Sequence, residues 1–133
     1  MRVLVVEVLR KPEVRDICGT LESMQQLVGG TIQTIYPFDD SVAIVANDEG
    51  KVLGMLPNRG LWDDDDVLYD VICGTFFICG LTDDGLGSLT DEQIKKYLEM
   101  YENPELFVRV NGKIFCLPLT MEEAEKWRRD YES

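Results

Sequence analysis

The chain has 133 residues, 45% of them hydrophobic and 29% charged, with a formal net charge of −12 and no histidine. That length suits one folded domain with a real core, and the composition is globular rather than disordered. No apolar run approaches the roughly 18 residues of a membrane span, and so much negative charge repels nucleic acid and anionic lipid, whose phosphates need Lys and Arg.

The N-terminal "MRVLVVEVL" has one basic residue, is interrupted by Glu7 and lacks a small-residue cleavage site, so it reads as a strand over 2–9 and not as a signal peptide. A cytoplasmic protein without a membrane anchor is expected. A turn at Lys11-Pro12 leads back through a strand at 13–17. The first helix follows Thr20, aligns Leu21, Met24, Leu27 and Val28 on one side, and stops at Gly29-Gly30, where glycine accepts the left-handed cap. Strands are expected at 31–38, 42–47 and 51–56, the last two joined as a hairpin through Asn47-Asp48-Glu49-Gly50. The run "DVICGTFFICGL" is apolar on both faces, which puts a strand over 71–79 in the middle of a sheet, with Gly74 marking a bulge or a close approach.

A second helix starts at Thr90, with Gln93 completing a capping box and Ile94, Tyr97, Leu98 and Tyr101 at helical spacing before Asn103-Pro104. Strands at 105–110 and 113–118 flank Asn111-Gly112, a strong hairpin signal because both central positions want positive φ. Thr120 and Glu123 repeat the capping box for a third helix that should bury Met121, Ala124, Trp127 and Tyr131. Hairpins separated by scattered helices predict an α+β fold, a mostly antiparallel sheet with three short amphipathic helices.

The charge is unevenly spread. Residues 36–92 hold thirteen acidic groups against Lys51 and Arg59, a net −11, whereas residues 1–35 sum to zero and 93–133 to −1. Asp63, Asp64, Asp65 and Asp66 are the densest part, and Asp70 follows closely. Four adjacent carboxylates in an extended segment diverge, so they read as a solvated loop rather than a Ca²⁺ or Mg²⁺ cage, anchored by Trp62 before it and by Val67 and Leu68 after it. Such a surface steers toward a basic protein partner and, at suitable spacing, imitates nucleic acid. The plainer alternative is that loop charge keeps a small domain soluble.

Little else points to chemistry. Cys18, Cys73, Cys79 and Cys116 form no CxxC pair, and Cys73 and Cys79 on one strand would stand about 20 Å apart, so free thiols are expected rather than a disulfide or a metal site. Without histidine, and with no serine or cysteine in a nucleophile setting, catalysis is not indicated; no metal, cofactor or catalytic residue is expected. Within "GMLPNRGLW", Asn58 and Arg59 are the polar residues that stand out. Arg59 either pairs with Asp63–Asp66 or Asp70 to hold the loop, or serves, with Asn58, as a recognition contact.

The stretches "LVGGTIQTIYPF", "VAIVANDEGKVLGMLPNR" and "DVICGTFFICGL" resemble the family called domain of unknown function 3846, uncharacterised proteins of bacteria, their phages and conjugative elements. The resemblance covers about residues 20–81, with the N-terminal strand pair also fitting. Its most specific parts are Gly29-Gly30, the turn at 47–51, Leu56-Pro57-Asn58 and Gly74-Thr75. It implies no reaction, cofactor or site residue, only a setting on mobile elements, often beside anti-restriction genes. Together with the charge pattern this gives the leading expectation: a single domain, with a family-like core over about 1–81 and an extension over 89–133 packed on it. That domain would be a non-enzymatic accessory protein, anti-defence or nucleic-acid-mimicking, which binds a basic partner. The alternative is a small ligand- or metal-binding domain or an enzyme built on Asn58, Arg59 and Asp63–Asp66.

Overall fold

The computed structural model describes residues 1–132, and over them the chain forms ten strands and three helices. In chain order these are β1 (Arg2–Val6), β2 (Glu13–Asp16), α1 (Leu21–Val28), β3 (Ile32–Ile35), β4 (Val42–Asn47), β5 (Pro57–Trp62) and β6 (Leu68–Cys73). There follow β7 (Phe76–Thr82), β8 (Gly85–Gly87), α2 (Asp91–Met100), β9 (Glu105–Val110), β10 (Lys113–Pro118) and α3 (Met121–Glu132). The fold is α+β and antiparallel: one sheet runs in the order β2-β1-β7-β4-β3, with β8 added to the end of β7, and β5–β6 and β9–β10 are separate hairpins.

The period of two along β1, β4 and β7 divides their side chains between two cores. Leu4, Val6, Val42, Ile44, Phe76 and Ile78 face one side, where Leu61 and Ile72 of the β5–β6 hairpin and Ile94, Tyr97 and Tyr101 of the α2 region cover them. Val3, Val5, Ala43, Val45, Phe77 and Cys79 face the other side, against Met24 and Val28 of α1. With both faces covered, continuous apolar strands are what the centre of the sheet requires. Thr20 caps α1 by accepting the Ser23 amide, and Gly29 ends it in the left-handed conformation at φ 81°. Thr90 and Gln93 form the expected box at α2, and Thr120 and Glu123 form it at α3.

Four expectations from the sequence are corrected. No strand forms over 51–56. Residues 47–55 close on themselves through Leu53 N–H to Glu49 C=O, Gly54 N–H to Lys51 C=O and Met55 N–H to Gly50 C=O, leaving Val52 85% exposed. The hairpin across Asn47–Gly50 is therefore absent, and β4 pairs with β3 and β7 instead. The strand over 71–79 is two strands, β6 and β7, because Gly74 turns the chain at φ 84° with Met55 Sδ 2.6 Å from where a Cβ would sit. Finally, α3 buries Ala124 but leaves Met121, Trp127 and Tyr131 between 37% and 53% exposed, because it meets the rest through a small contact with Leu9 and Leu119. The short β8 had no pattern of its own in the sequence; it is held by pairing Gly87 with Gly80.

Candidate functional site

The β5–β6 hairpin carries most of the residues singled out above. Its turn is built by its first aspartate: Asp63 Oδ1 accepts the amides of Asp65 (2.9 Å) and Val67 (3.0 Å), while the Asp63 amide donates to Val67 C=O and the Asp66 amide to Asp63 C=O. Asp66 takes φ 59°, in the left-handed region that aspartate tolerates better than bulkier residues. The acidic run is thus a closed turn that exposes all four residues. Of the expected apolar anchors, Trp62 and Val67 are about half exposed and Leu68 is partly buried, packing with Trp62 over Gly60, while local hydrogen bonds shape the tip. Among the described residues no ion pair within 4 Å reaches Asp63–Asp66, whereas Asp70 pairs with Lys51.

Asn58 and Arg59 lie inside. Asn58 Nδ2 bridges Val6 C=O (2.9 Å) and Gly74 C=O (2.8 Å), tying β1 to the turn before β7. Arg59 is fully buried: Nη1 donates to Asn58 Oδ1 (2.9 Å), and Nη2 to Arg10 C=O (2.7 Å) and Tyr101 C=O (3.1 Å). Its expected ion pair with Asp63–Asp66 or Asp70 does not form, because the side chain turns inward from β5 to the backbone carbonyls of Arg10, between β1 and β2, and Tyr101, at the end of α2. Burial pushes the guanidinium down to about 10, opposed by nearby Glu105, so it stays charged at neutral pH. Glu105 in turn accepts from the Gly60 amide (3.1 Å) and from the Cys116 thiol (2.9 Å). Burial, then this carboxylate, pushes the Cys116 thiol up, and burial raises Cys79 to about 11. Both are held as thiols, which are poor nucleophiles. Cys73 and Cys18 are also free.

The most specific pieces of the sequence resemblance meet in one structural crossing. The Gly74 amide donates to Leu56 C=O, Asn47 Nδ2 donates to Val28 C=O beside Gly29, and Met55 packs against both Gly29 and Gly74. The Met55 side chain leaves no room for a Cβ at Gly74, and the Asn47 amide reaches a backbone carbonyl, which accounts for a small residue at one position and an amide at the other.

A second group of carboxylates of the acidic segment gathers elsewhere, while Asp48 and Glu49 follow β4 at its opposite end. Register Val42↔Gly80 brings the loop of Asp39 and Asp40 to the end of the sheet where Asp83 and Asp84 turn β7 into β8, and Leu89 N–H to Arg2 C=O brings the start of α2 there too. This group is partly compensated: Asp91 pairs with Arg2 at 2.5 Å and Asp40 with Lys96 at 3.7 Å. The Tyr97 hydroxyl, donating to Asp40 at 2.8 Å, holds that carboxyl below its usual range. The hairpin tip and this end of the sheet are thus separate acidic surfaces, and only the second holds ion pairs of its carboxylates with Arg2 and Lys96 among the described residues. Asn58, Arg59 and Asp63–Asp66 are not gathered into one concavity, since the first two are buried and the last four form a turn. No group of three or more Cys, Asp or Glu side chains is placed to hold a metal ion among the described residues, and no helix is long and apolar enough to cross a membrane.

A cleft of about 790 Å³ opens between the β5–β6 and β9–β10 hairpins, where Asp70 and Lys51 meet Arg109 and Lys113. Nothing in the sequence flagged it, because its walls come from segments some forty residues apart and carry no motif. Residues 1–102 match the family described as Domain of unknown function (DUF3846). No curated protein and no solved structure matches the chain.

Proposed function

The chain belongs to this Domain of unknown function (DUF3846) family, and from that premise we propose that it is a non-enzymatic, cytoplasmic accessory protein of a mobile element whose acidic hairpin tip docks on a basic protein. The observation that carries the reading is the tip itself: four exposed aspartates on a turn fixed by its own hydrogen bonds, without a cation partner among the described residues. A loop kept only for solubility needs no fixed shape, whereas a preformed array loses little entropy on binding. Its field favours a cationic partner and disfavours nucleic acid as a direct ligand.

Affinity capture from a bacterial lysate tests this, with wild type compared to the triple variant Asp64→Asn, Asp65→Asn, Asp66→Asn. Asp63 is kept because it builds the turn, and asparagine tolerates the φ of position 66. The expected result is a discrete basic protein held by wild type, lost from the variant and released by high salt. Equal retention by both, or no retained protein, overturns the proposal. Duplex DNA added as competitor decides the anti-defence version: release of the partner supports nucleic-acid mimicry, and no release removes it.

A further inference from the structure

We infer that the cleft between the β5–β6 and β9–β10 hairpins is a binding site for a small amphipathic anion, one with an apolar body and a single carboxylate, sulfonate or phosphate head. This goes beyond the docking of the acidic tip and does not depend on it, since different residues of opposite charge carry it.

The walls set the body of the ligand. Leu68 and Val71 of β6 face Phe107 and Ile114 of the second hairpin across about 790 Å³, within the roughly 300–1,000 Å³ typical of small-molecule sites. Each wall is a two-stranded ribbon, so neither presents a filled core to the other, and the space between them stays open. Tyr69, about half exposed at the same margin, offers a ring face to a planar body.

The charges set the head. Three cations, Lys51, Arg109 and Lys113, line the cleft against one carboxylate, Asp70. That carboxylate is already engaged by Lys51. Arg109 and Lys113 have no carboxylate within 4 Å among the described residues. In a chain of net charge −12, this is a local excess of positive charge beside apolar surface. The surrounding negative field bears on the size of the ligand: screening at physiological salt acts over about 8 Å. A polyanion reaching beyond the cleft meets the repelling surface, whereas one compact charge at Arg109, with Lys51 and Lys113 at the margin, meets mainly cations. Register places Arg109 directly opposite Ile114, so head and body contacts adjoin.

The probe is 8-anilinonaphthalene-1-sulfonate, which has this chemistry and fluoresces on apolar surfaces, beside its uncharged counterpart N-phenyl-1-naphthylamine. Wild type should bind the sulfonate at one saturable site of roughly micromolar Kd, and the uncharged probe about tenfold or more weakly. Arg109→Ala should weaken the sulfonate by a similar factor and leave the uncharged probe unchanged. The exposed Phe115 and Leu117 lie on the other face of the same hairpin, so Phe115→Ser with Leu117→Ser should change neither. All substituted side chains are exposed or half-buried, and thermal melts confirm that each variant is folded. Absent or non-saturable binding, equal affinity for the two probes, or loss through Phe115 and Leu117 instead of Arg109 overturns the inference.

Discussion

Two strands with similar apolar content meet opposite fates in this molecule. Every residue of "VAIVAN" in β4 is buried, while in "KIFCLP" of β10 none is and only Cys116 is partly covered. The first lies between β7 and β3 with a layer on each face; the second belongs to a hairpin that touches the body along one side, through Glu105, Gly60 and the contacts around Leu9. Apolar composition gives a strand the capacity to be buried, and a second layer realises it. Both main cores are made entirely of residues up to Tyr101, so Leu89 and α2 belong to the body, and the part packed on from outside begins after them.

Truncation gives the largest test of that division, and of the proposal that 1–133 is a single domain. A chain ending at Ser88 loses Leu89, Ile94, Tyr97 and Tyr101 from the core and should show no cooperative melting transition. One ending at Glu102 should keep a cooperative transition at a lower midpoint; if the Ser88 chain melts as sharply, the boundary drawn at Tyr101 is wrong. Within the body, Phe77→Ala should cost about 3–5 kcal/mol in urea unfolding, as large deletions in packed cores do. Arg59→Ala breaks the junction itself, stripping donors from the carbonyls of Asn58, Arg10 and Tyr101. About 3 kcal/mol is expected for such orphaned buried acceptors. A near-neutral result would show that water replaces the guanidinium.

A smaller effect concerns Tyr97 and Asp40, on the body side. The Asp40 carboxyl is held below its usual range, first by the Tyr97 hydroxyl, so its folded pKa lies under its unfolded one. Its contribution is present above the unfolded value and is lost as pH falls through the folded one. Tyr97→Phe should therefore cost about 1 kcal/mol at pH 7 and lose less stability than wild type between neutral pH and strongly acid conditions; parallel pH profiles would contradict this. The smallest effect is expected on the appended hairpin, where Phe115→Ala should stay within about 0.5 kcal/mol. A loss like that of Phe77→Ala would show that something covers this face.

Much of the local structure was legible from residue chemistry. The capping boxes at Thr90 and Thr120, the glycine stop after Val28 and the Asn111-Gly112 turn each depend on atoms within four residues, so neighbours in sequence decide them. The solvated state of Asp63–Asp66 was also legible, because four adjacent carboxylates are too costly to bury. The errors came where a local pattern competed with a distant partner. "KVLGML" reads as a strand by alternation, yet β7 and β3 already occupy both edges of β4 and leave it no place to pair.

What the sequence by itself determined was the α+β class, the helix ends, most turns and the excess of charge in 36–92, all set by short-range sterics, capping and the cost of burying charge. Only the tertiary structure decided that part of this excess forms a hairpin tip and part an end of the sheet where Arg2 and Lys96 meet Asp91 and Asp40. It alone turned Arg59 inward to the carbonyls of Arg10 and Tyr101 and brought Arg109 and Lys113 to a cleft shared with Tyr69. Those outcomes rest on contacts between residues some forty positions apart, whose partners are fixed by how layers pack and which edges remain free, and no spacing along the chain encodes that choice.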